Sequence, residues 1–89
     1  MESVKTTISE VTALVGELFL RGGQAVAIRV DSDLLATGVC DSMGLVSLAE
    51  EIQSRYGISI KDQEISRLNL GSIQRIVQFL SKKGVQVVE

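Results

Sequence analysis

Apolar side chains recur along this chain at helical spacing in three places. The first run, Val4, Ile8, Val11, Leu14, Val15 and Leu18, lines one side of an α-helix. Ser3 and Thr7 are both candidate caps: Thr7 with Glu10 has capping-box spacing, while a start at Ser3 brings Val4 onto the same face. Arg21-Gly22-Gly23 is expected to end the helix, since paired glycines suit a C-terminal cap. The second run follows Asp41 with Leu45, Leu48, Ala49, Ile52 and Tyr56 on one face, closed by Gly57. The third has Leu70, Ile73, Ile76, Val77 and Leu80, with Lys82 and Lys83 at the negative end of its dipole and Gly84 as its stop.

Between these runs the pattern is weaker. QAVAIRV has the alternation of a strand, but no partner strand is evident, so residues 24–41 read as a long loop. Val26, Ile28 and Val30 are expected to tuck under the helices, and Leu34 and Leu35 to enter the core. GISI reads as an apolar connection, KDQEISRL as a helical stub near residues 62–67, and VQVVE as a frayed tail. The expected architecture is all-α: a small antiparallel four-helix bundle, three main helices and one short third helix, with a long loop between helices 1 and 2. One domain over residues 1–89 is expected, its core about 3–83 and residues 84–89 a flexible tail.

Composition narrows the chemistry. With 45% hydrophobic and 22% charged residues the chain of 89 can bury a small core, largely aliphatic because there are two Phe, one Tyr and no Trp. A net charge of -2 with scattered Lys and Arg offers no footprint for nucleic acid. One cysteine and no histidine leave no disulfide framework, no Cys/His zinc site and no histidine-activated nucleophile. Polar residues break every apolar run of the N-terminal stretch, so neither a signal peptide nor a membrane span is expected, and the location reads as cytoplasmic.

The chemistry-bearing stretch is Asp41-Ser42 at the start of the second helix. Ser42 falls at the edge of the buried stripe, while Met43, Val46 and Glu50 lie together outside it. On local pattern alone Asp41 is an N-cap, Ser42 an ordinary first-turn residue, and exposed apolar side chains need no explanation. The alternative is that a helix N-terminus, with unpaired N–H groups, holds a phosphate. Cys40 reads as a small buried hydrophobe, Asp31 and Asp33 as turn and cap residues rather than metal ligands, and Lys61 to Glu64 and Lys82-Lys83 as solvated surface.

DSDLLATGVCDSMGLVSLAEEIQSRYGISI resembles the central region of acyl carrier proteins: an Asp-Leu pair in the loop, a Gly, then Asp-Ser-Met opening a helix that ends in an aromatic, Gly and Ile. EISRLNLGSIQRIVQFL is similar to the short third and final helices of that group. The pattern is nearest to free-standing D-alanyl, aminoacyl or acyl carriers, and its match is weakest over residues 1–30. The resemblance implies a non-catalytic, monomeric carrier. A phosphopantetheinyl transferase would attach 4′-phosphopantetheine from coenzyme A to Ser42, and the terminal thiol would carry cargo as a thioester. It implies that Asp41 belongs to the transferase recognition motif, and that Met43, Val46 and Glu50 meet partner enzymes: a loading ligase, adenylation enzyme or acyltransferase, then downstream synthases.

Fatty-acid carriers usually have an acidic recognition helix, whereas this chain has Ser47, Gln53, Ser54 and Arg55 at the corresponding places and keeps Glu50 and Glu51. Electrostatic steering by basic partners is correspondingly weak. The expected pathway is therefore polyketide or nonribosomal peptide biosynthesis, with D-alanylation of the cell envelope and fatty-acid synthesis as alternatives. From other classes, a helical adaptor docking through Met43 and Val46 without a prosthetic group remains open. A hydrolase using Ser42 is the weakest reading, because no general base accompanies the serine.

Overall fold

A computed structural model of the chain describes residues 4–19, 29–38 and 40–88. It holds four helices, α1 (Ile8–Phe19), α2 (Ser42–Tyr56), α3 (Arg67–Leu70) and α4 (Ile73–Lys82), with a 3-10 turn at Asp62–Glu64 and two short strands, β1 (Lys5–Thr6) and β2 (Gln86–Val87). The helices share one core in which Leu14, Val15, Leu34, Leu48, Ile76 and Leu80 are fully buried. All five residues of the α2 stripe are buried, and Gly57, at φ 67, ends that helix by donating its N–H to Gln53 O at 2.9 Å.

Both chain ends depart from the sequence pattern. Thr7 caps α1, its Oγ1 accepting from the Glu10 N–H at 3.0 Å, so the preceding residues are free to be extended. Val4 is accordingly 43% exposed and lies off the buried stripe. The expected tail is also partly ordered. Gly84 turns the chain at φ 91, Val85 is buried, and β2 runs parallel to β1 in the register Lys5↔Gln86 and Thr6↔Val87. Gln86 N–H donates to Val4 O and Val88 N–H to Thr6 O, both at 2.8 Å. Strands of two residues have no readable period, and a parallel partner most of a chain length away gives no local signal.

This strand pair is tied to the far end of α2. The Thr6 Oγ1 and Tyr56 hydroxyl oxygens lie 2.8 Å apart in a buried hydrogen bond, giving each group a partner where water is excluded.

The stub divides in two. The 3-10 turn comes first, and α3 then ends at Gly71, where a Cβ would collide with the Arg67 carbonyl. Leu70 therefore closes α3 instead of opening the last helix, and Ser72 caps α4 by accepting from the Arg75 N–H at 3.1 Å. Glu64 and Lys83 are not merely solvated: their side chains pair at 2.8 Å, tying the 3-10 turn to α4, with the Lys83 ammonium 5.5 Å from the Phe79 ring centroid.

The described part of the loop, residues 29–38, is bonded to the α3–α4 junction. Leu34 is fully buried and its N–H donates to Gly71 O at 2.8 Å, while Leu35 packs against the core half-buried. Val30 is instead 42% exposed; its contribution is a carbonyl that accepts from the Gln74 N–H at 2.9 Å. Val26, Ile28 and the Arg21-Gly22-Gly23 helix stop lie outside the described residues.

Removing the Tyr56 hydroxyl by Tyr56→Phe strands a buried Thr6 hydroxyl and is expected to cost about 1–3 kcal/mol. Urea unfolding of Thr6→Val, Tyr56→Phe and the double variant checks this: the double variant should lose less than the sum of the two single losses.

Candidate functional site

The start of α2 is fixed by the residue before it. Asp41 is extended (φ -108, ψ -174), its carbonyl accepts the first helical bond from Leu45 N–H at 3.2 Å, and its Oδ1 accepts from Gly44 N–H at 2.7 Å. That leaves the N–H groups of Ser42 and Met43 without intrahelical partners, at the positive end of the helix dipole. Ser42 is the first helical residue and is exposed. No hydrogen bond among the described residues engages its hydroxyl.

The first turn rests on a close approach between helices. A Cβ at Gly44 would lie 3.0 Å from Phe19 Cε1 and 3.1 Å from Cys40 Cβ, so the end of α1 and the Cys40 side chain fill the space that only a glycine leaves open. Cys40 is buried and its N–H donates to Leu34 O at 3.0 Å, anchoring the chain one residue before the cap. Burial, followed by the Asp41 and Asp33 charges, raises the Cys40 thiol above its ordinary pKa and keeps it protonated, as befits a packing residue.

Asp33 holds the loop turn. Its Oδ1 accepts from Leu35 N–H at 3.0 Å and Ala36 N–H at 3.1 Å. The Ala36 bond is the main cause pulling its carboxyl below the ordinary value; desolvation opposes it, and the Leu35 bond and the Arg67 and Arg75 charges add to the lowering. Asp31 pairs with Arg29 at 3.7 Å. Among the described residues no group of three or more potential metal-ligating side chains comes together.

Ser42 opens onto a broad, shallow cleft of about 580 Å³ whose walls include Phe19, Leu35, Cys40, Asp41 and Arg67. On the solvent side of α2, Met43 is 75% and Val46 41% exposed, and Glu50 is exposed with them. Glu51 is engaged by Arg55 at 3.5 Å, leaving Glu50 as the unpaired acid of this helix among the described residues. Two features of this region had no sequence signal: Leu68, 71% exposed on α3, which packs against α2, and Arg67 beside it. A lone arginine and a lone leucine in a four-residue helix carry no period.

The family described as the phosphopantetheine attachment site matches residues 3–80. The chain belongs to that family. Its relatives include the D-alanyl carrier protein of Streptococcus thermophilus (strain LMD-9), 36% identical over 74 residues that cover 83% of this chain and 90% of the relative. The D-alanyl carrier protein of Streptococcus suis (strain 98HAH33) is 36% identical over 83% of this chain and 86% of its own length. That of Streptococcus gordonii (strain Challis) is 34% identical, with coverage of 83% and 90%. No solved structure matches the chain significantly.

Proteins of this family bear 4′-phosphopantetheine, and the geometry around Ser42 fits such a group. The hydroxyl has no bond to give up among the described residues, the adjacent amides favour an anion, and the neighbouring cleft leaves room for an extended chain.

The Asp41 cap is the site's main local support. Asp41→Ala should lower stability by about 0.5–2 kcal/mol, and Asp41→Asn, which keeps an accepting oxygen, should stay within a few tenths of wild type. Urea denaturation of the two variants checks this ordering.

Proposed function

We propose that Ser42 is the attachment residue for 4′-phosphopantetheine and that the chain carries an aminoacyl group as a thioester on that arm. The observation that carries the reading is the Ser42 hydroxyl itself: solvent-exposed, unbonded among the described residues, and first in a capped helix. The Oγ is then the nucleophile towards coenzyme A, forming the phosphodiester bond while the adenosine bisphosphate portion leaves. Its proton must pass to a group on the transferase, because the chain contains no histidine and the adjacent Asp41 already accepts from Gly44 N–H. The arm's thiol supplies the thioester chemistry. This chain's residues fix the attachment point and offer the surface on which enzymes recognise it.

Asp41, Met43, Val46 and Glu50 form that surface in this reading, with Leu68 added from α3. Exposed apolar side chains beside few charges suit brief encounters with successive enzymes. The partners are a phosphopantetheinyl transferase, a ligase that activates and loads the amino acid, and an acceptor enzyme, acting in the cytoplasm. One shared core over the described residues supports a single carrier domain.

D-alanine is the cargo we favour, because the streptococcal relatives, which cover 83% of the chain, are named D-alanyl carrier proteins. The scarcity of acids along α2, which makes a polyketide or nonribosomal peptide pathway the leading expectation from sequence and D-alanylation an alternative, is equally compatible with a D-alanyl carrier. No helix among the described residues is long and apolar enough to cross a membrane.

The test is intact mass after incubation with a broad-specificity transferase, magnesium and coenzyme A, followed by a D-alanine ligase with ATP. Wild type should gain one phosphopantetheine and then one D-alanyl group releasable by hydroxylamine; Ser42→Ala should gain neither. A phosphopantetheine on Ser42→Ala overturns the attachment site, and a holo-protein refused by the ligase overturns the cargo.

A further inference from the structure

A phosphodiester on Ser42 brings a fixed negative charge to within one residue of the Asp41 carboxylate. Like charges at that spacing repel, and the amides of the first turn offer only partial positive charge. Among the described residues that line the cleft beside Ser42, Arg67 is the only cation.

The present engagement of Arg67 is slight. Its Nε lies 4.0 Å from Asp33 Oδ2, at the outer limit of an ion pair, with the guanidinium side chain 64% exposed. Asp33 does not depend on it, because two backbone N–H groups already hold that carboxylate. Three other cations are more firmly placed. Arg55 bridges Glu17 and Glu51 at 3.7 and 3.5 Å, Arg75 donates Nη1 to Leu68 O at 3.2 Å, and Lys83 holds Glu64 at 2.8 Å. Arg67 is thus the charged group near Ser42 that can turn to a new anion with least loss.

Resting on the assignment of Ser42 as the attachment residue, we propose that Arg67 pairs with the phosphodiester of the arm, exchanging its long contact with Asp33 for the phosphate oxygens. Its planar fork of N–H donors matches two such oxygens at once, which a lysine cannot reproduce. Arg67 is then a positioning residue: it holds the root of the arm against the cleft wall formed by Phe19 and Leu35, and so limits the directions in which the cargo is offered.

The full chain, labelled with nitrogen-15, is compared in its apo and holo forms by NMR, with intact mass establishing that the arm is present. Failure to gain that mass speaks against Ser42, not against Arg67. The Arg67 Nε–H signal, assigned by its loss in Arg67→Lys, should shift on holo formation by more than the Arg75 signal, and the shift should shrink as salt is raised. The phosphodiester phosphorus resonance of holo Arg67→Gln should differ from wild type, while that of Arg75→Gln should match it. An Arg67 signal unmoved between apo and holo protein overturns the proposal, as does a phosphorus resonance indifferent to Arg67→Gln. The wild-type comparison decides even if a variant folds poorly.

Discussion

The site depends on where α2 begins. A helix that started one residue earlier or later would move the unpaired first-turn amides one residue along the chain, so that Ser42 would no longer be the residue that opens them. The Asp41 carboxylate sets the start through its 2.7 Å bond from Gly44 N–H, and the buried Cys40 anchors the chain immediately before it. A cap contributes only about 1 kcal/mol, a small part of the roughly 5–15 kcal/mol that holds a domain together, yet it decides which residue opens the exposed turn. Phe19 adds a steric condition, because the end of α1 reaches the first turn of α2 only across a glycine.

The rest of the fold keeps that helix end still. Leu34 is pinned both as a core side chain and by its backbone bond to Gly71, and its own carbonyl accepts from the Cys40 N–H at 3.0 Å. At the other end of α2, about 22 Å away for a helix of this length, Tyr56 is held to the paired chain ends through Thr6. In the role proposed for it the chain contributes a reachable Ser42 hydroxyl on a packed support, a task for which an aliphatic core without a histidine suffices.

Much of this was legible in the order of residues. Helical spacing gave the buried face of α2, the Ile73, Ile76 and Leu80 positions of α4 and the Val11, Leu14 and Val15 stripe of α1, because each spans several turns and the period accumulates; it left out the buried Phe79 and included Val77, which is half-buried. The strand pair was not legible, since two residues cannot display alternation, nor was the division of the stub at Gly71, where backbone crowding rather than hydrophobic pattern decides the boundary. Val30 was misplaced for a related reason: alternate apolar residues imply a buried face only if the segment is extended, and this one bends at Asp31 with its carbonyl doing the binding. For Ser42 the local pattern by itself favoured a plain capped helix over a tether; the resemblance across flanking helices reversed that order, and the exposed hydroxyl is consistent with it. Arg67 left no trace in the sequence, because its relevance comes from sharing a cleft wall with a residue 25 positions away.

The most direct measurement is to digest the holo-protein and fragment the peptide that spans residues 40–55, which contains Ser42, Ser47 and Ser54. If the start of α2 selects the acceptor, the phosphopantetheine appears on Ser42 alone. Modification found on Ser47 or Ser54, further along the same helix, would contradict the account.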